Sequence, residues 1–133
     1  MKRESRVIVG RFVIKPAISG LRFDLQAANY ETIATSEVYS SEAACRKGID
    51  KVVKSAAVAV VEDRTKGNGT VRKNPKFEVY QDGAGQFRFR LKDKNGGVVA
   101  MSEGYKAKAS CLNGIKSVIR KSAAAEVVRR FDV

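Results

Sequence analysis

Two stretches of alternation set the pattern. Phe12 and Ile14 sit between Arg11 and Lys15, and Phe77 and Val79 between Lys76, Glu78 and Tyr80. That is the two-residue period of a strand with one buried face. Pro16 is expected to end the first of these strands, because it cannot donate to a ladder. Turns through Ser19-Gly20 and Asp82-Gly83-Ala84-Gly85 lead to a second alternation, Leu21, Phe23, Leu25 and Phe87, Phe89, Leu91. Third strands follow over Thr32–Thr35 and Val98–Met101. Asn95-Gly96 before the latter is a two-residue hairpin signal, since both residues tolerate positive φ, and Asn29-Tyr30 is its weaker form.

The period then lengthens. Cys45, Gly48, Ile49, Val52, Val53 and Ala56 form a single apolar stripe at helical spacing, and Cys111, Gly114, Ile115, Val118, Ile119 and Ser122 repeat it. The spacing predicts helices over 41–56 and 107–122. A glycine inside a helix costs about 0.5–1 kcal/mol relative to alanine, so its place in both stripes implies a close approach of helix backbone to sheet. Further β-rich segments follow at Val58-Ala59-Val60-Val61 and Val127-Val128-Arg129-Arg130-Phe131.

The chain therefore contains one pattern twice. Asn29 matches Asn95, Ser36 matches Ser102, Tyr39 matches Tyr105 and Cys45 matches Cys111, all at an offset of 66. Matches at turn, strand and helix positions together imply an internal duplication. Repeat 1 spans 10–63, a Gly/Asn-rich linker spans 64–75 and repeat 2 spans 76–133. One β-β-β-α-β unit of this size is marginal alone. The two are expected to share a core as one pseudo-symmetric domain over 1–133. The fold class is α+β, one antiparallel sheet with both helices on one face.

Phe-x-Leu, Asn-Gly, a valine-rich strand, Ser-Glu-Gly-Tyr and a helix with Gly-Ile-x-x-Val together resemble the YegP-like family of tandem β3-α-β repeat proteins. The resemblance covers residues 12–62 and 77–131. It implies a single sheet in which the C-terminal strands of the two repeats are exchanged. It supplies no catalytic residues, and the family has no established biochemical function.

Charge adds one feature. The chain carries 26 Lys and Arg against 14 Asp and Glu, a net +12, which favours polyanionic partners. On the second strand of repeat 2, Arg88, Arg90 and Lys92 line the face opposite Phe87, Phe89 and Leu91. The competing reading is a solvated antiparallel face with cross-strand acids such as Glu78 nearby. The second helix carries Lys116, Arg120 and Lys121 with no acid, and Lys106 and Lys108 lie near its start, where the helix dipole disfavours cations. The first helix offers Glu42–Arg46 and Asp50–Lys54 as opposite-charge i,i+4 pairs.

Catalysis finds little support. The chain has no histidine, the commonest general base, and two distant cysteines cannot assemble a usual zinc site. The polar corners Ser36, Glu37, Tyr39 and Ser102, Glu103, Tyr105 are better read as groups that satisfy backbone donors while the tyrosine keeps its hydroxyl at the surface. Gly83-x-Gly85 and Gly67-Asn68-Gly69 lack phosphate-loop spacing. No cofactor and no metal are expected. The basic opening stretch, residues 1–11, is too short in apolar residues for a signal peptide, and no apolar run spans a bilayer. The expectation is a cytoplasmic, non-catalytic interaction module with an unidentified partner, protein or nucleic acid, monomeric or weakly dimeric and not bound to membrane. Nucleic-acid binding through a basic surface is the alternative.

Overall fold

A computed structural model describes residues 9–67 and 69–131. The basic opening stretch expected at the N-terminus falls largely outside them. The chain runs β1 (Gly10–Ala17), β2 (Gly20–Ala27), β3 (Thr32–Thr35), α1 (Glu42–Ala56), β4 (Val60–Asp63), β5 (Lys76–Gln81), β6 (Phe87–Lys92), β7 (Val98–Met101), α2 (Lys108–Ser122) and β8 (Glu126–Arg129). The eight strands form one sheet in the order β4-β5-β6-β7-β3-β2-β1-β8.

The expected antiparallel sheet is in fact mixed. β4 runs parallel to β5 and β8 parallel to β1. The parallel β4–β5 pair is joined by the connector 64–75, which carries the chain back to the start of the sheet as a parallel pair requires, and β8 takes the same place beside β1 in the other half. Each terminal strand joins the other half of the chain, as the family resemblance implied. Helix α1 leaves β3 at the centre and crosses β6 and β7 to reach β4, and α2 leaves β7 and crosses β3 and β2 to reach β8.

The buried face draws on both halves. Phe12, Phe23, Phe77 and Phe89 are fully buried with Ile14, Leu25, Val79 and Leu91, and one continuous cluster includes Cys45, Ile49, Val52, Cys111, Ile115 and Val118 from the helices. Phe12 meets Phe23 edge to face at 5.7 Å, and Phe77 meets Phe89 at 5.9 Å. The register shifts after Leu25 and after Leu91. At these bulges Ile33-Ala34 and Val99-Ala100 each bury two consecutive residues, which strict alternation forbids.

Several boundaries differ from the sequence pattern. Pro16 does not end β1, which stays paired through Ala17↔Gly20. The strand after α1 starts later than its apolar run suggests, at Val60, and the strand after α2 starts one residue earlier, at Glu126, and stops at Arg129. The two-residue hairpin at Asn95-Gly96 is a three-residue loop: Gly96 N–H donates to Asp93 O at 3.0 Å, Asp93 N–H donates to Gly97 O at 2.9 Å, and only Gly96 has positive φ, +86°. In the first half Tyr30 holds the same place at φ 69°, beneath the Arg11 guanidinium at 4.2 Å.

Candidate polyanion interface

The cation row of β6 is neutralised from below. Arg90 Nε donates to Glu78 Oε1 at 2.6 Å, and Lys92 Nζ lies 3.2 Å from Glu78 Oε2. Arg64 reaches the same carboxylate at 3.2 Å and Lys76 at 3.4 Å. Arg88 instead pairs with Asp82 at 2.7 Å. Glu78 is 1% exposed although it lies on the face away from the helices. Burial pushes its carboxyl up, but hydrogen bonds from Arg90 and Lys92 outweigh that and hold it at about 2. Arg88, Arg90 and Lys92 are thus components of a salt-bridged layer.

The polar corners are built into the fold. Ser36 Oγ accepts from Phe23 N–H at 2.9 Å and donates to Glu37 O at 2.7 Å. Ser102 does the same with Phe89 N–H and Glu103 O, at 2.9 and 2.8 Å. Each buried hydroxyl splices a third strand to a second where the ladder stops. Glu37 and Glu103 point to solvent.

The tyrosines differ from expectation. Tyr39 and Tyr105 turn inward, and their hydroxyls lie over Gly48 and Gly114. Tyr39 also stacks on Phe23 at 6.2 Å. Burial pushes both phenols up. The close approach that the helix glycines require is therefore made by a corner tyrosine and a strand phenylalanine, with the helix spaced from the sheet by their rings.

Helix α2 presents the remaining candidates. Lys116 and Arg120 are exposed and Lys121 is half-buried. No carboxylate among the described residues lies within ion-pair distance of the three. Lys108, at the disfavoured N-terminal end, is bound to Asp63 of β4. Burial raises the Asp63 carboxyl, yet its bonds from Lys108 and Thr65 hold it at about 2. On α1, Glu42–Arg46 closes at 3.0 Å, whereas the expected Asp50–Lys54 pair does not form among the described residues. Lys47, Lys51 and Lys54 are exposed along α1. The sequence pattern paired Lys54 with Asp50 and left Lys47 and Lys51 unremarked, although the i, i+4, i+7 spacing puts all three lysines on one face, with Asp50 among them.

The structure therefore divides its cations into two classes. Arg88, Arg90, Lys92 and Lys76 over the sheet meet acids, and Lys116, Arg120 and Lys121 of α2 have none within ion-pair distance among the described residues. The described residues hold no group of three or more Cys, Asp or Glu side chains able to take a metal ion, and no helix among them is long and apolar enough to cross a membrane.

Residues 20–63 and 82–128 match the profile of a domain of unknown function, DUF1508. A UPF0339 protein of Mannheimia succiniciproducens is 36% identical over 116 residues, 86% of this chain and 89% of that one. A UPF0339 protein of Agrobacterium fabrum is 57% identical over 53 residues, 40% of this chain and 86% of that protein. The solution structure of yegP from E. coli, a protein of unknown function, superposes with a TM-score of 0.77 at 26% identity and covers 97% of this chain and 99% of that one. A UPF0339 protein of Shewanella oneidensis shares the fold, with a TM-score of 0.75 at 22% identity over 92% of each chain.

Proposed function

The chain belongs to the YegP-like family of DUF1508 (UPF0339) proteins, and from that premise we propose that it is a non-catalytic binding module for an anionic partner. Nucleic acid is the first candidate. We read the module as two repeats, 10–63 and 76–133, closed into one pseudo-symmetric cytoplasmic unit. The observation that carries the proposal is that Lys116, Arg120 and Lys121 have no acid partner among the described residues, beside a sheet whose own cation row is matched by Glu78 and Asp82. Cations without acid partners retain their field for a ligand and release counterions when they meet phosphates. Few aromatic side chains face outward on this surface, so backbone contact is favoured over base stacking.

Fluorescence anisotropy with labelled single-stranded and duplex oligonucleotides tests this. Three phosphate contacts give a slope of log K against log salt of about −2 to −3. The K116E/R120E/K121E variant is expected to abolish binding, and equal binding by this variant and the parent would refute the proposal. A second reading is strand addition by a protein partner. It draws on Val60, Val61 and Val127, more than a third exposed along the edge strands β4 and β8. Sedimentation that stays monomeric with no retained partner would count against it.

A further inference from the structure

The flank of α2 that turns toward the β2–β3 turn forms one wall of a cleft of about 300 Å³. Ser110, Asn113 and Ser117 share that wall at i, i+3, i+7. Glu31 stands opposite, Tyr105 lines the cleft where its hydroxyl rests on Gly114, and Lys121 closes one end. None of these six side chains is hydrogen-bonded or ion-paired to another described residue. Glu31, Ser110 and Asn113 are exposed and Tyr105, Ser117 and Lys121 are half-buried, so the concavity presents solvent-facing donors and acceptors to a ligand.

The cleft is not a by-product of the fold. At the matching positions α1 carries Ala44, Lys47 and Lys51, which offer neither hydroxyl nor amide. The cleft also continues past Ala27 and Lys121 into a shallower recess bounded by Arg120. One side chain, Lys121, thus belongs both to the polar cleft and to the basic surface.

The chemistry of the lining is specific in kind. A carboxylate accepts only, an amide both accepts and donates, and hydroxyls do either. Together they match a ring bearing adjacent hydroxyls. Lys121 and Arg120 match a phosphate at its end. The volume lies at the lower limit of the about 300–1,000 Å³ usual for small-ligand sites, which suits one sugar ring and its substituents. We propose that the cleft between α2 and the β2–β3 turn binds a phosphorylated sugar, free or as the ribose phosphate of a nucleotide. Ring hydroxyls meet Glu31, Asn113 and Ser117, and the phosphate meets Lys121 and Arg120. The assignment rests on the reading of α2 as an anion-binding helix.

Amide chemical shifts of the full-length protein, titrated with AMP, UMP, ribose 5-phosphate and inorganic phosphate, provide the test. Saturable shifts at residues 31–33 and 110–117, with a dissociation constant tighter than about 1 mM, are expected for the sugar phosphates. Equal affinity for ribose 5-phosphate and AMP identifies the sugar phosphate as the ligand, and tighter AMP or UMP binding identifies a nucleotide. Ser117→Leu fills the cleft on the helix surface, and Glu31→Gln removes the carboxylate. Each is expected to weaken sugar-phosphate binding at least about tenfold while oligonucleotide affinity through Lys116 is retained. K116E has the opposite effect, which separates failure of the cleft from failure of the helix surface. Absence of saturable shifts, an identical response to inorganic phosphate, or indifference to both cleft variants would overturn the assignment.

Discussion

Glu62 and Glu78 stand opposite one another across β4 and β5, two buried carboxylates joined by one ammonium, with Lys76 Nζ 2.8 Å from Glu62 and 3.4 Å from Glu78. Arg72 N–H adds a bond to Glu62 at 2.6 Å, and that bond, with Lys76, holds the Glu62 carboxyl below its ordinary range. In the other half of the sheet the register places Val13 beside Val128. The same architecture is thus closed by an apolar contact at one edge and an ionic one at the other.

Removing the central cation is the sharpest probe of this edge. Lys76→Met removes the buried ammonium shared by the two facing carboxylates and leaves the half-exposed Arg64 between them; breaking a buried pair outright costs about 3–5 kcal/mol. Denaturant unfolding at neutral pH is expected to show a loss of up to that size. The loss should shrink in mild acid, as one carboxylate takes up a proton.

Acid should unfold the protein through these same groups. Glu78 titrates at about 2 in the folded chain against 4.5 when unfolded, and Asp63 at about 2 against 3.8. The unfolded chain therefore binds protons first, so stability is complete above about pH 4.5 and is lost as pH falls toward about 2. Glu78→Gln should lower stability at pH 7 and flatten that acid dependence. Stability measured by denaturant titration from neutral pH downward checks both. An unchanged slope would show that Glu78 is not the responsible group.

Gly48 is held by its neighbour. A Cβ at that position would stand 2.3 Å from the Tyr39 hydroxyl and 3.1 Å from the Phe23 ring. Gly48→Ala gains up to about 1 kcal/mol of helix propensity but forces a packed ring aside, at about 1–3 kcal/mol. The expected outcome is net destabilisation. It should diminish in a Tyr39→Ala background, which a double-mutant cycle by thermal unfolding will read.

Ser36→Ala and Ser102→Ala should each cost about 1–3 kcal/mol, because each leaves a buried backbone N–H without its acceptor. Equal losses in the two would support equivalent roles for the two corners. A catalytic role for either serine predicts little change in stability.

Much of the fold was readable in the residue order. Alternation at Phe12–Ile14 and Phe87–Leu91 fixed the strand faces, and the stripes from Cys45 and Cys111 fixed the helices, because side-chain direction follows local backbone period. The bulges at Ile33 and Val99 were hidden, since a two-residue apolar run carries no sign of the partner strand that skips it. Of the candidate surface, the cation row of β6 and Glu78 as a cross-strand acid were visible in the sequence, but the convergence of four cations on that one carboxylate was not. Arg64, Lys76 and Glu78 are brought together only by strand pairing.

The division has a physical basis. Period, turn chemistry and charge composition are properties of neighbouring residues, and they determined the elements, their buried faces and the basic character of the chain. Which cations keep an unmatched charge depends on contacts between residues far apart in sequence. So does the direction of a corner tyrosine, and so does the edge each last strand reaches. Those contacts form only when α1 and α2 cross the sheet. The path of the chain therefore silenced the arginines of β6 and left Lys116, Arg120 and Lys121 without an acid partner among the described residues.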